Sequence, residues 1–227
     1  MLIAAACGGG ATGDDTLGPD APVPTVDAPA NNDVTAQDLL DAIATCGQVA
    51  GGPFATDSGR TANISICTLP TAVFWKADMD IDCDGKTSSV CNTTADPSYQ
   101  NQTSGTDSSG NPLDAATLPY VVVPLSSSRW SYKTAGLDLG SVIAVVYNGQ
   151  IQYGVFGDEG PTTIIGEASH RMAELLGIDP DPSTGGIDSG VAYIAFTGAD
   201  ARVAKLEDHD AAVAIGITKA RALVGKP

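Results

Sequence analysis

The segment Ala72-Val-Phe-Trp-Lys-Ala-Asp-Met-Asp-Ile-Asp-Cys-Asp84 alternates with period two over thirteen residues. In an extended strand, Val73, Trp75, Ala77, Met79, Ile81 and Cys83 point to one face and Lys76, Asp78, Asp80, Asp82 and Asp84 to the other. Same-face neighbours lie roughly 7 Å apart, so carboxylates crowd one surface. Like charges that close cost energy unless a cation, a ligand or hydrogen bonds compensate. The plainer reading is a solvated acidic edge strand. Asp80-x-Asp82-x-Asp84-Gly85 also matches the start of a calcium loop, but the twelfth position is Cys91, where that motif needs a bidentate glutamate. A strand precedes it, not a helix. The calcium-loop reading fails and no metal site is assigned.

Outward from this strand, further period-two stretches are Asn63–Cys67, Tyr120–Val123, Ser141–Tyr147, Gln150–Phe156 and Val191–Thr197. Asn148-Gly149 between two of them is a hairpin signal, because both central positions of a type I′ turn need positive φ. Thr35, with Asp38 three residues on, caps a first helix carrying Leu39, Leu40 and Ile43. A second helix spans about Ala168–Leu176 and stops at Gly177; a third spans about Asp208–Val224 and stops at Gly225. Many short strands with few helices predict a compact β-barrel or a mixed α+β domain. Asn92–Ala116, rich in Ser, Thr, Gly, Asp and Asn, is a long loop of the kind that usually carries function or is disordered.

The 227 residues divide into an appendage, 1–33, and a domain, 34–227. With 43% hydrophobic residues the domain can bury a core. Against 27 acidic residues stand only 11 basic ones, a net charge of −16. That field repels nucleic acid and anionic membranes and attracts cations. Cys7 stands alone in Met1-Leu-Ile-Ala-Ala-Ala-Cys7-Gly, which reads as the tail of a clipped bacterial lipoprotein signal. The Gly-, Pro-, Asp- and Ala-rich run after it is a flexible tether. Cys46, Cys67, Cys83 and Cys91 allow three pairings; local spacing favours Cys46–Cys67 and Cys83–Cys91. Disulfides imply an oxidising compartment, so the chain is expected outside the cell or lipid-anchored to the bacterial envelope through Cys7. No GxSxG elbow, HExxH, P-loop or dinucleotide fingerprint occurs. His170 and His209 fall in helices and read as surface or capping residues.

Two further segments carry carboxylates. In Tyr153-Gly-Val-Phe-Gly-Asp158-Glu159-Gly-Pro161, the acids follow an apolar strand in a Gly-bounded loop. In Ile164-Ile-Gly-Glu167-Ala-Ser169, Glu167 opens a helix, where its bland role is a capping charge. One acid among apolar neighbours and another in a polar loop is the pairing that glycoside hydrolysis needs.

Phe74–Gly85, Asp96-Pro-Ser-Tyr-Gln100, Leu118-Pro-Tyr-Val-Val-Val-Pro124, Tyr153–Asp158 and Ile165–Ser169 together resemble glycoside hydrolase family 75, the endo-chitosanases of fungi and bacteria. The similarity covers about residues 60–200, in order. It implies a mainly β fold with α elements, a six-stranded double-psi-like barrel with peripheral helices. It also implies inverting endo-hydrolysis of β-1,4 bonds between glucosamine units without a cofactor, with Asp158 as base and Glu167 as acid. Glu159, next to Asp158, leaves the base assignment open. Chitosan is cationic, and the acidic row suits it. Asp78, Asp80 and Asp82 are the candidate amine-binding residues, with Lys76 orienting a carboxylate and Tyr99 offering a stacking surface beside Trp130 and Tyr132. A monomer is expected.

Overall fold

A computed structural model describes residues 33–49 and 51–226. The expected lipid-anchor residue Cys7 and all but Asp33 of the tether lie outside the described residues. The elements run α1 (Ala36–Ala42), β1 (Gly47–Gln48), β2 (Cys67–Thr68), β3 (Ala72–Asp82), β4 (Tyr120–Pro124), β5 (Val142–Tyr147), β6 (Gln150–Gly160), β7 (Glu167–Ser169), α2 (His170–Leu176), β8 (Ile187–Phe196) and α3 (His209–Leu223). Strand order β3-β7-β4-β6-β5-β8 closes on itself through pairing of β8 with β3, making the expected six-stranded barrel. β3–β7 and β4–β6 are parallel pairs, whereas the remaining barrel pairs are antiparallel.

Local chemistry sets the boundaries. Thr35 and Asp38 form a reciprocal capping box at α1. Asn148 and Gly149 have φ of 45° and 78°, the turn that joins β5 to β6. Gly177 ends α2 in the left-handed conformation. Successive residues of β5 enter different clusters, so the sheet is buried on both faces. Val142, Ala144 and Val146 join Phe74, Tyr120 and Tyr153 beneath α1 and α3. Ile143 and Val145 join Val73, Trp75, Met79, Val121, Phe156, Ala168 and Tyr193, where Trp75 and Tyr193 stack at 5.2 Å. Both favoured disulfides are formed, Cys46–Cys67 and Cys83–Cys91. No described helix is long and apolar enough to cross a membrane.

Three expectations are corrected. β6 runs on to Gly160, so Asp158 and Glu159 belong to a strand rather than a loop, held there by parallel pairing with β4. Glu167 does not open a helix. It starts the three-residue strand β7, and Ser169, accepting from the Met172 N–H, caps the helix that begins at His170. The strand expected over Asn63–Cys67 shrinks to Cys67–Thr68, with Ile64 making only an isolated bridge to Phe54. Asn92–Ala116 is a loop as read, pinned by backbone bonds such as Gly85 N–H to Gln100 O and Lys86 N–H to Leu113 O.

Candidate active site

The strands β3, β7, β4 and β6 lie side by side, and an acidic cleft of about 450 Å³ crosses them. Asp80 and Asp82 come from β3, Glu167 from β7, Val122 from β4, and Asp158, Glu159 and Gly160 from β6. Asp84, Asp96 and Asp181 come from the loops that cover this part of the sheet. Parallel pairing sets Asp80 beside Glu167. Val122 pairs with Asp158, and the antiparallel register of Val121 with Ala168 places Val122 next to Glu167 as well. Asp158 and Glu167 therefore flank one valine, two strand spacings apart, about 9.6 Å between backbones.

A bulge aims Asp158 into this row. Val121 pairs with Phe156 but Val122 with Asp158, so Gly157 is the extra residue. An extra residue reverses the side to which the next side chain points. Phe156 thus packs with Val121 and Trp75, while Asp158 turns to the cleft beside Val122. A Cβ at Gly157 would stand 2.6 Å from the Tyr120 Cβ, so glycine is required there. At Gly160 a Cβ would lie 3.8 Å from Glu167 Oε2, and its absence leaves room beside that acid.

The carboxyl groups differ in their protons. Burial, with Asp80, Asp84 and Asp158 nearby, pushes Glu167 up to about 8. Burial, with Glu167 alongside, pushes Asp82 well above the usual carboxylate range. Asp84 rises to about 6, chiefly through burial, although its carboxylate accepts the Gln100 N–H at 2.6 Å. Asp158 is raised by burial too, but Oδ1 accepts two backbone N–H groups, from Ser104 and Glu159, each at 2.7 Å, and these favour its ionised form. Oxygens of Asp82, Asp84 and Asp158 lie within 4.8 Å of one another. With carboxyl groups this close, retained protons relieve the repulsion.

The structure brings together Asp80, Asp82, Asp158 and Glu167 of the residues singled out in the sequence. It separates Lys76 and Asp78, which line a neighbouring depression. Tyr99 is turned away from the cleft, its hydroxyl bonded to Gly85 O and Thr87 Oγ1. Trp130 and Tyr132 are buried core residues. Tyr132 donates to Glu159 Oε1 at 2.6 Å, which engages Glu159 and leaves Asp158 as the acid held by backbone groups. His170 is buried rather than on the surface, and neither histidine lines the cleft. Sequence reasoning missed Asp181, whose Oδ1 is occupied by the Ser183 and Thr184 N–H groups, because nothing local marks that turn as facing β3.

The family model of the fungal chitosanases of glycosyl hydrolase group 75 matches residues 79–219. Endo-chitosanase B of Aspergillus oryzae is 37% identical over 164 residues, 69% of this chain and 63% of that protein. An endo-chitosanase of Aspergillus fumigatus is 34% identical over 171 residues, 69% of this chain and 72% of that protein. The chain thus spans a little under two thirds of the length of the Aspergillus oryzae relative. Among solved structures, the Streptomyces papain inhibitor gives a TM-score of 0.33 at 14% identity over 58% of this chain and 100% of that one, too distant to bear on the site. With the cleft carboxylates of β3 and β7 and the segment from Met79 into α3 inside the matched region, the chain belongs to the chitosanase family of glycosyl hydrolase group 75.

Proposed function

We propose that the protein hydrolyses internal β-1,4-glucosaminide bonds of chitosan with inversion, Glu167 acting as acid and Asp158 as base. The observation that carries the roles is the contrast between the two carboxyl groups. Glu167, held up to about 8 by burial and its acidic neighbours, keeps its proton at neutral pH and can donate it to the leaving oxygen. Asp158 is raised by burial as well, but its two backbone N–H bonds favour the ionised form, the one that can take a proton from water. Inverting enzymes hold their carboxyl groups about 6.5–9.5 Å apart so that a water fits between sugar and base. Two strand spacings with only Val122 between are compatible with that room.

The substrate reading follows from charge and from kinship. The cleft lining contains eight acidic residues and no basic one, so a polycation gains on entering it. The Aspergillus oryzae and Aspergillus fumigatus relatives bear the name endo-chitosanase. Two disulfides support a place outside the cell. Glu167→Gln keeps the shape but cannot donate the proton, and reducing-end release from soluble chitosan should fall by ~10²–10⁴-fold while binding persists. The first product formed by the native protein should be the α-anomer, read by proton NMR. No reducing-end release by the native protein would overturn the hydrolase reading; a β-anomer would overturn inversion.

A further inference from the structure

Next to the cleft lies a second depression of about 850 Å³, and the two share Asp80 and Gly185 in their walls. Its lining includes Asp57, Asp78, Asp80 and Asp188, with Arg60 and Lys76 as its basic members. Arg60 sits 3.6 Å from Asp57, so part of its charge is already answered. Asp78 is the unusual member. It is only 5% exposed, and its Oδ1 has no hydrogen-bond partner. No cation of the described residues lies within ion-pair distance of it, although buried carboxylates are normally paired or hydrogen-bonded.

The surroundings hold this group in place. The Tyr193 hydroxyl donates to the Asp78 backbone carbonyl at 2.8 Å. A Cβ at Gly166, whose φ is +125°, would lie 1.9 Å from Asp78 Oδ1, so glycine there lets the carboxyl settle against β7's approach. Burial and the Asp80 charge push Asp78 up to about 7, the state of a carboxyl lacking a cation. An isolated acid so placed is destabilising by itself, and an ammonium would relieve it.

We propose that this depression is a glycan subsite in which Asp78 receives the ammonium of a glucosamine unit beyond those at the scissile bond. The proposal rests on the hydrolase reading for its ligand, an extended chain of protonated glucosamine. Along β3 the Cα atoms of Asp78 and Asp82 are about 13 Å apart, so one chain lying over the strand runs from the catalytic carboxylates past Asp80 into the second depression. Asp57 and Asp188 at the rim add attraction without being buried. An N-acetylated unit brings no cation, so Asp78 makes the subsite select for the free amine.

Binding alone tests this, in a Glu167→Gln background whose turnover is too slow to deplete the hexamer during a titration. Titration calorimetry with a fully deacetylated glucosamine hexamer should show affinity falling by about tenfold on Asp78→Asn. The fully N-acetylated hexamer should bind the two proteins within a factor of two of each other. Equal affinity for the deacetylated hexamer, or an equal loss for both hexamers, would overturn the proposal. If Asp78→Asn fails to fold, Asp188→Asn, at an exposed rim position, should weaken the deacetylated hexamer by about twofold at low salt, and unchanged affinity would overturn it. These readouts do not depend on hydrolysis, so a native protein that releases no reducing ends would sink the enzyme reading and leave this one to its own result.

Discussion

Glu167 illustrates how neighbouring carboxylates can set the protonation of a buried acid. Burial raises it most, and Asp80, set beside it by the parallel register of β3 with β7, is the first of the charges that raise it further. Asp80→Asn removes that charge while keeping the shape, so Glu167 should ionise at lower pH. The high-pH limb of the hydrolysis profile, expected near 8 in the native protein, should move down by about one unit on a short soluble oligomer. A limb that stays in place would mean Asp80 does not act on Glu167. Asp78 belongs to the same sequence row but not to this crowd.

At the scale of the element, the bulge in β6 decides where Asp158 points. Gly157→Ala would press a methyl into Tyr120 and Leu113, at 2.6 and 2.9 Å. We expect a loss of roughly 1–3 kcal/mol and a fall in Tm of several degrees by calorimetry. Activity should fall further than the folded fraction explains, because the relaxed strand re-aims Asp158. Much of the element layout could be read from the chain: the alternation of Ala72–Asp82, the Asn148-Gly149 turn and the cap at Gly177 are local signals with local causes. β7 could not. Three residues carry no measurable period, and Glu167–Ser169 is a strand only because β3 and β4 offer it partners on both sides. The same holds for the site. The acids were visible as residue types, but the split between Asp78 and Asp82 depends on the register shift in the β3–β8 pairing between Ala77 and Met79, which leaves no mark in the sequence.

Across the whole molecule the acids weigh against stability. Glu167 near 8, Asp78 near 7 and Asp84 near 6 each bind a proton in the folded state that the unfolded chain gives up at about pH 4 to 4.5. Where the folded state holds more protons, stability falls as pH rises. Tm should therefore decline between about pH 5 and pH 8, and Glu167→Gln should flatten part of that decline, giving a higher Tm than the native protein at pH 8 and little difference at pH 4. A net charge of −16 acts in the same direction, so added salt should raise Tm at pH 8.

The two parallel pairs have a kinetic consequence. β3 finds β7 across more than eighty residues, and that contact is the one that sets Asp80 beside Glu167. Closing the barrel must therefore push carboxylates together late, after the long connection has lost its freedom. Acid should act as a lubricant for this step. With the disulfides intact, refolding followed by tryptophan fluorescence should be faster at pH 5 than at pH 8, and Glu167→Gln should narrow the difference.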